Sequence, residues 1–83
     1  MATYKFNALQ RFGKFHGDLF SVTDPAGDPL KNPGHDSAAA LSAFLQDQIE
    51  KLGLDEDGDA VIFRNNSYSD FADLDRAVRM ATY

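Results

Sequence analysis

The sequence predicts a small single α+β domain: a mainly antiparallel sheet of three to four strands, packed on one face by two amphipathic helices in the order β-β-(β)-α-β-α. Three observations lead there. Thr3 to Leu9 alternates, with Tyr4, Phe6 and Ala8 on one side and Lys5, Asn7 and Leu9 on the other, the period of a half-buried strand. Leu41, Phe44, Leu45, Gln48, Ile49 and Leu52 make one almost wholly apolar helical face. Finally, 83 residues with 43% hydrophobic side chains and no cysteine suit one core without disulfide or thiolate-metal support.

The elements follow in order. After the first strand, Gly13 and Gly17 bracket Lys14-Phe15-His16 and mark a turn or bend. Leu19 to Thr23 is β-prone again, with Phe20 and Val22 on one face. Asp24-Pro25-Ala26-Gly27 has Asp, Pro and Gly where a β-turn wants them, and suggests a hairpin returning through Asp28 to Lys31. Pro29 lacks an N–H, so that strand is short or at an edge. Asn32 to His35 reads as a loop, and Asp36 or Ser37 as the cap of the first helix. Asp47 and Lys51 are spaced to pair along that helix, and Gly53 followed by Leu54 closes it in a Schellman ending.

Asp55 to Asp59 is a polar turn, and Ala60-Val61-Ile62-Phe63 a short buried strand closed by Arg64 to Ser67. Ser67 or Ser69 then caps a second helix with Phe71, Leu74, Val78 and Ala81 on one face. Asp70 and Asp73 near its start, and Arg76 and Arg79 near its end, match the helix dipole. The crossover from the hairpin to Ala60–Phe63 could be parallel, and would then be right-handed.

Charge is divided unevenly. Residues 1–35 carry Lys5, Arg11, Lys14 and Lys31 against Asp18, Asp24 and Asp28, whereas residues 36–83 carry ten acids against Lys51, Arg64, Arg76 and Arg79. The net charge is −5. Such a field disfavours direct contact with nucleic acid. Phe6, Phe12, Phe15 and Phe20 interleaved with Lys5, Arg11 and Lys14 contain the ingredients of a base-stacking surface, but these residues also suit a core with cations at its margin. Met1-Ala2-Thr3-Tyr4-Lys5 is not the start of an apolar leader, and no run approaches the roughly 18 apolar residues of a membrane span. The expected setting is the cytoplasm, without membrane contact.

Asp55-Glu56-Asp57-Gly58-Asp59 invites comparison with a calcium loop. With Gly58 at position 6, Asp55 and Asp57 fall at 3 and 5, but positions 1 and 12 become Gly53 and Arg64. No cofactor or metal is expected. His16 and His35, the only histidines, have Asp18 and Asp36 nearby in sequence. No strained nucleophile turn accompanies them, and no glycine-rich phosphate loop occurs. An enzyme or ligand-binding domain built on His16 and His35 is therefore the least favoured reading. Asp70, Asp73 and Asp75 serve a helix start better than paired acid–base chemistry, which needs a buried carboxyl.

The favoured expectation is a non-catalytic binding protein whose acidic surface docks on a basic, nucleic-acid-binding surface of a partner. Its candidate contacts are Asp55, Glu56, Asp57, Asp59, Asp70, Asp73 and Asp75. Compact, acidic, cysteine-free chains of this length are frequent among phage-encoded inhibitors of host defence, anti-CRISPR proteins among them, although no motif here belongs to a family. The alternative is a self-associating accessory protein whose basic and acidic parts complement each other in a homodimer. Once capping and pairing roles are assigned, the acids left without a local role are chiefly those of the 55–59 turn.

Overall fold

The alternation seen from Thr3 onward continues to Arg11 in the computed structural model, which describes residues 1–83. Strand β1 (Thr3–Arg11) turns through Phe12-Gly13 into β2 (Lys14–Ser21). Phe12 and Gly13 have φ of 52° and 78°, so this is a two-residue turn with both central residues left-handed. A left-handed Phe costs about 1–2 kcal/mol. The second strand thus begins five residues before Leu19, and Gly17 lies inside it rather than at a bend. Its core side carries Phe15, Gly17 and Leu19, opposite Gln10, Ala8 and Phe6. Phe20 faces the other way and Val22 lies past the strand end.

The hydrogen-bonded turn falls earlier than expected, at Ser21 to Asp24, where Asp24 N–H donates to the Ser21 carbonyl at 3.0 Å; Asp24-Pro25 is only a bend, and no third strand returns. Asp28 accepts a hydrogen bond from the Leu30 N–H and Pro29 opens a single 3₁₀ turn (Pro29–Lys31), since a proline at a first helical position needs no N–H. Residues 22–36 instead form a strap over the sheet face away from the helices. Asn7 Nδ2 donates to the Gly27 carbonyl, and Asn32 Nδ2 to the Gly17 carbonyl. Phe15 and His35 pair their backbones at 2.8 Å in both directions, closing part of the outer edge of β2.

Helix α1 (Ala38–Leu52) is capped by Ser37, whose hydroxyl accepts from the Ala40 N–H. Asp36 pairs with Lys14 instead. Gly53, at φ 68°, ends the helix, with Gly53 N–H bonded to Glu50 O and Leu54 N–H to Ile49 O, the Schellman pattern. Strand β3 (Ala60–Phe63) then enters beside β1, and β4 (Asn66–Tyr68) returns after a left-handed Arg64-Asn65 turn. Helix α2 (Phe71–Met80) completes the chain's regular structure.

The sheet order is β2-β1-β3-β4, with β1 and β3 parallel and the two outer pairs antiparallel. The sheet is therefore mixed, not mainly antiparallel. The reason lies in Ala60–Phe63: a strand whose Val61 and Phe63 are fully buried needs neighbours on both sides, and β1 is the long strand with a free edge. Phe6, Val61 and Phe63 from the sheet meet Leu41, Leu45 and Ile49 of α1 and Phe71, Leu74 and Val78 of α2 in one core on one face. No helix is long and apolar enough to cross a membrane.

Tyr83 seals one side of this core. Its hydroxyl donates to the Val78 carbonyl at 2.8 Å, its ring stands edge-on to Phe15, and the Arg64 guanidinium lies 5.0 Å from its centre. Burial pushes its pKa above the ordinary value, with Arg64 opposing. The folded state thus holds this proton more tightly than the unfolded state. Its contribution to stability is intact below pH 10 and is lost as pH rises through the folded value. In an alkaline titration followed by tyrosinate absorbance, one of the three tyrosines should ionise late and together with loss of structure; Tyr83→Phe should remove that late step.

Candidate functional site

The carboxylates expected to meet a partner belong to two elements that the fold brings together. In the 55–59 turn, Asp59 N–H bonds to the Asp55 carbonyl at 2.7 Å, and Asp55 Oδ1 accepts from Asp57 N–H at 2.9 Å. Asp59 uses both oxygens. Oδ2 accepts from Asp55 N–H at 2.8 Å, and Oδ1 accepts from Ala2 N–H at 2.7 Å, tying the turn to the start of β1. These two backbone donors hold the Asp59 carboxyl below its usual pKa.

Glu56 reaches across to α2, where its Oε2 accepts from Phe71 N–H at 3.1 Å. Asp70, not Ser67 or Ser69, is the cap of this helix, and accepts from Ala72 N–H and Asp73 N–H. All three N–H groups ahead of the first helical hydrogen bond, Leu74 N–H to Asp70 O, therefore end on carboxylates. This satisfies donors that a helix start otherwise leaves to water, and places negative charge where the dipole favours it.

The expectation that the turn's acids lack a local role is thus corrected for Asp55, Glu56 and Asp59; only Asp57 has a side chain without a hydrogen bond. Asp55, Glu56, Asp57, Asp59 and Asp70 share one end of the molecule, and none of them is in an ion pair. Asp73, one turn along α2, pairs with Arg76 at 3.2 Å. Asp75 is apart from the group. It turns toward α1, accepts from the buried Ser42 hydroxyl and pairs with Arg79 at 3.1 Å. A cleft of about 130 Å3 opens between the turn and the chain start, walled by Met1, Glu56, Asp57, Asp59, Ala60 and Ser69.

The histidines do not build a site. His16 Nδ1 lies 3.0 Å from the Asn32 carbonyl, and His35 stacks on Phe44 with ring centres 5.1 Å apart. Neither bonds its neighbouring Asp. Asp18, 5% exposed, takes Asn32 Nδ2 at 3.2 Å and faces Lys31 Nζ at 3.3 Å, while Asp36 pairs with Lys14. No three His, Asp or Glu side chains converge as a ligand set. A larger depression of about 510 Å3 lies between the strap and the end of α1, lined by Tyr4, Leu19, Phe20, Gly27, Lys31 and Leu52 among others. It contains none of the candidate residues.

Phe12 is the residue that sequence reasoning misplaced. Of the four phenylalanines in the basic half, Phe6 is in the core, Phe15 packs against it and Phe20 is half-buried, whereas Phe12 stands 90% exposed at the hairpin tip. The signal was its position before Gly13, the pair that makes a two-residue turn. No protein-family model, curated protein or solved structure matches the chain.

Proposed function

We propose that the protein is a non-catalytic binding protein that docks its acidic end on the basic, nucleic-acid-binding surface of a partner protein or complex, as phage-encoded anti-defence inhibitors do. The observation that supports this reading is the fixed group formed by Asp55, Glu56, Asp57, Asp59 and Asp70. Backbone hydrogen bonds hold four of these carboxylates in place, and no cation of the chain pairs with any of the five. Charges held this way lose little conformational freedom on docking. They also steer a basic partner in a salt-dependent manner.

The test is capture of purified nucleic-acid-binding complexes, CRISPR effectors included, by the immobilised protein and by a double variant Asp57→Lys/Asp73→Lys. These positions carry no buried hydrogen bond, so the fold is retained. Capture by the unaltered protein should fall at high salt and in competition with duplex DNA, and affinity should drop at least about tenfold in the variant. Equal capture by both proteins would sink the reading.

A further inference from the structure

The outer edge of β2 is fastened at Phe15, Gly17 and Ser21 and left open between the last two. Backbone groups along an edge strand face alternately toward the neighbouring strand and outward. Phe15 exchanges both of its backbone hydrogen bonds with His35, so Phe15, Gly17, Leu19 and Ser21 are the outward members. The Gly17 carbonyl accepts from Asn32 Nδ2 at 2.8 Å, and the Ser21 carbonyl accepts from Asp24 N–H at 3.0 Å. Leu19 alone has both its N–H and its carbonyl unbonded within the chain. The chain has no segment of its own for this gap. The register set by His35 and Phe15 would bring Pro33 opposite Gly17 and Lys31 opposite Leu19. Pro33 has no N–H to donate, and Pro29–Lys31 is wound into a 3₁₀ turn.

This gap opens into the depression of about 510 Å3 between the strap and the end of α1. Its two walls differ. On the helix side stand Tyr4, Leu19 and Leu52, and Leu52 is 47% exposed. On the strap side Phe20 lies with Asp24 and Asp28, neither of which has a cation partner. Lys31, the one base lining the depression, is taken by Asp18. A strand laid antiparallel along this edge would exchange both hydrogen bonds with Leu19. The side chain of its residue opposite Leu19 would project to the helix side, beside Tyr4 and Leu52, because directly opposed residues share a face. The residues before and after it would project to the strap side, toward Asp24 and Asp28. A second copy of the same edge would set these acids against each other, so charge selects a basic occupant.

We infer that the β2 edge at Leu19 takes up an extended basic segment of a partner protein as a fifth strand, with an apolar residue opposite Leu19 and Lys or Arg on either side of it. Main-chain hydrogen bonds give the segment its direction, the Tyr4–Leu52 wall selects the apolar residue, and Asp24 and Asp28 select its neighbours. Three residues ordered on one open pair make a small contact, which places the dissociation constant of an isolated peptide at about 0.1 mM. No residue of the 55–59 turn lines this depression, so the inference is independent of docking by the acidic end.

The experiment follows amide hydrogen exchange by NMR with the end-capped pentapeptide Thr-Lys-Ile-Lys-Thr as probe. In the free protein the Leu19 amide should exchange readily, while those of Asp18 and Phe20, which face β1, are protected. At about 2 mM peptide, Leu19 exchange should slow about twentyfold. N-methylation of the peptide's Ile removes the donor that meets the Leu19 carbonyl and should weaken binding about tenfold. Asp24→Lys, at an exposed position, should weaken it about threefold, and a peptide with Glu in place of both Lys should not bind. Unchanged Leu19 exchange, or equal binding of the N-methylated peptide, overturns the inference. Leu19 protection that rises with protein concentration in the absence of peptide also overturns it, and assigns the edge to a second copy. The Asp57→Lys/Asp73→Lys variant keeps every residue lining the depression and should bind the peptide with unaltered affinity, so the two proposals fail separately.

Discussion

Gly17→Ala is expected to destabilise the protein by about 2–3 kcal/mol, read from urea unfolding. A Cβ at Gly17 would lie 2.3 Å from Phe6 Cζ, 2.7 Å from Phe6 Cε1 and 2.9 Å from Leu41 Cδ1. Neither neighbour has room to retreat: Phe6 is 2% exposed and Leu41 fully buried, and each is fixed by its own strand or helix. The methyl group must therefore push β2 away from α1 or force an off-rotamer ring. The total stability of a chain this size is roughly 4–12 kcal/mol, so the loss is a large fraction of it. The specific cause is testable in a double variant. Phe6→Leu shortens the ring side and should cost about 1–2 kcal/mol alone, yet in the Gly17→Ala background it should cost about 1 kcal/mol less than that. Strict additivity would show that the clash is not with Phe6.

Asp75→Ala should cost about 2 kcal/mol, more than Ser42→Ala, although Ser42 is the fully buried member of the pair. Removing the carboxylate leaves the Ser42 hydroxyl with only the residue-75 carbonyl, 3.5 Å away, as an acceptor. Removing the hydroxyl leaves Asp75 with Arg79 and water. The pair also sets an acid limit. The Ser42 hydroxyl first, and then Arg79, hold the Asp75 carboxyl below its ordinary 3.8, against the opposing effect of burial. Its stabilising contribution is therefore present above pH 3.8 and lost as pH falls through the folded value. Thermal unfolding from pH 5 downward should give a shallower acid limb in Ser42→Ala than in the unaltered protein. Identical limbs would mean that other carboxylates set it.

Parts of the fold that depend on local periodicity were legible in the chain. The α1 face from Leu41 to Ile49, the Gly53 ending, the first strand and the Ala60–Phe63 run emerge where their spacing places them, whereas Leu52, at the end of the expected face, is exposed. What escaped depends on partners. Asn66-Ser67-Tyr68 has no apolar alternation and is a strand because β3 offers it an edge. Pro29 was as compatible with an edge strand as with the 3₁₀ turn that Asp28 caps. Ser67, Ser69 and Asp70 are all good caps, and burial of Phe71 selects the frame. The charge of the candidate site was plain from composition. The grip of Glu56 on an N–H fifteen residues away was not, since no local pattern encodes which donor a carboxylate will meet.

The β1–β3 pair also governs when the sheet can form. The β1–β2 hairpin joins neighbours in sequence and closes on the microsecond scale. Thr3, by contrast, must wait for Ala60. Until it arrives, β1 offers an unguarded row of amides and carbonyls, with Phe6 on one side of it. Contacts that distant in sequence slow folding, and open strand edges recruit other chains. The parallel pair that centres the finished sheet is thus its slowest step, and the interval before it forms is when this chain is most prone to aggregate.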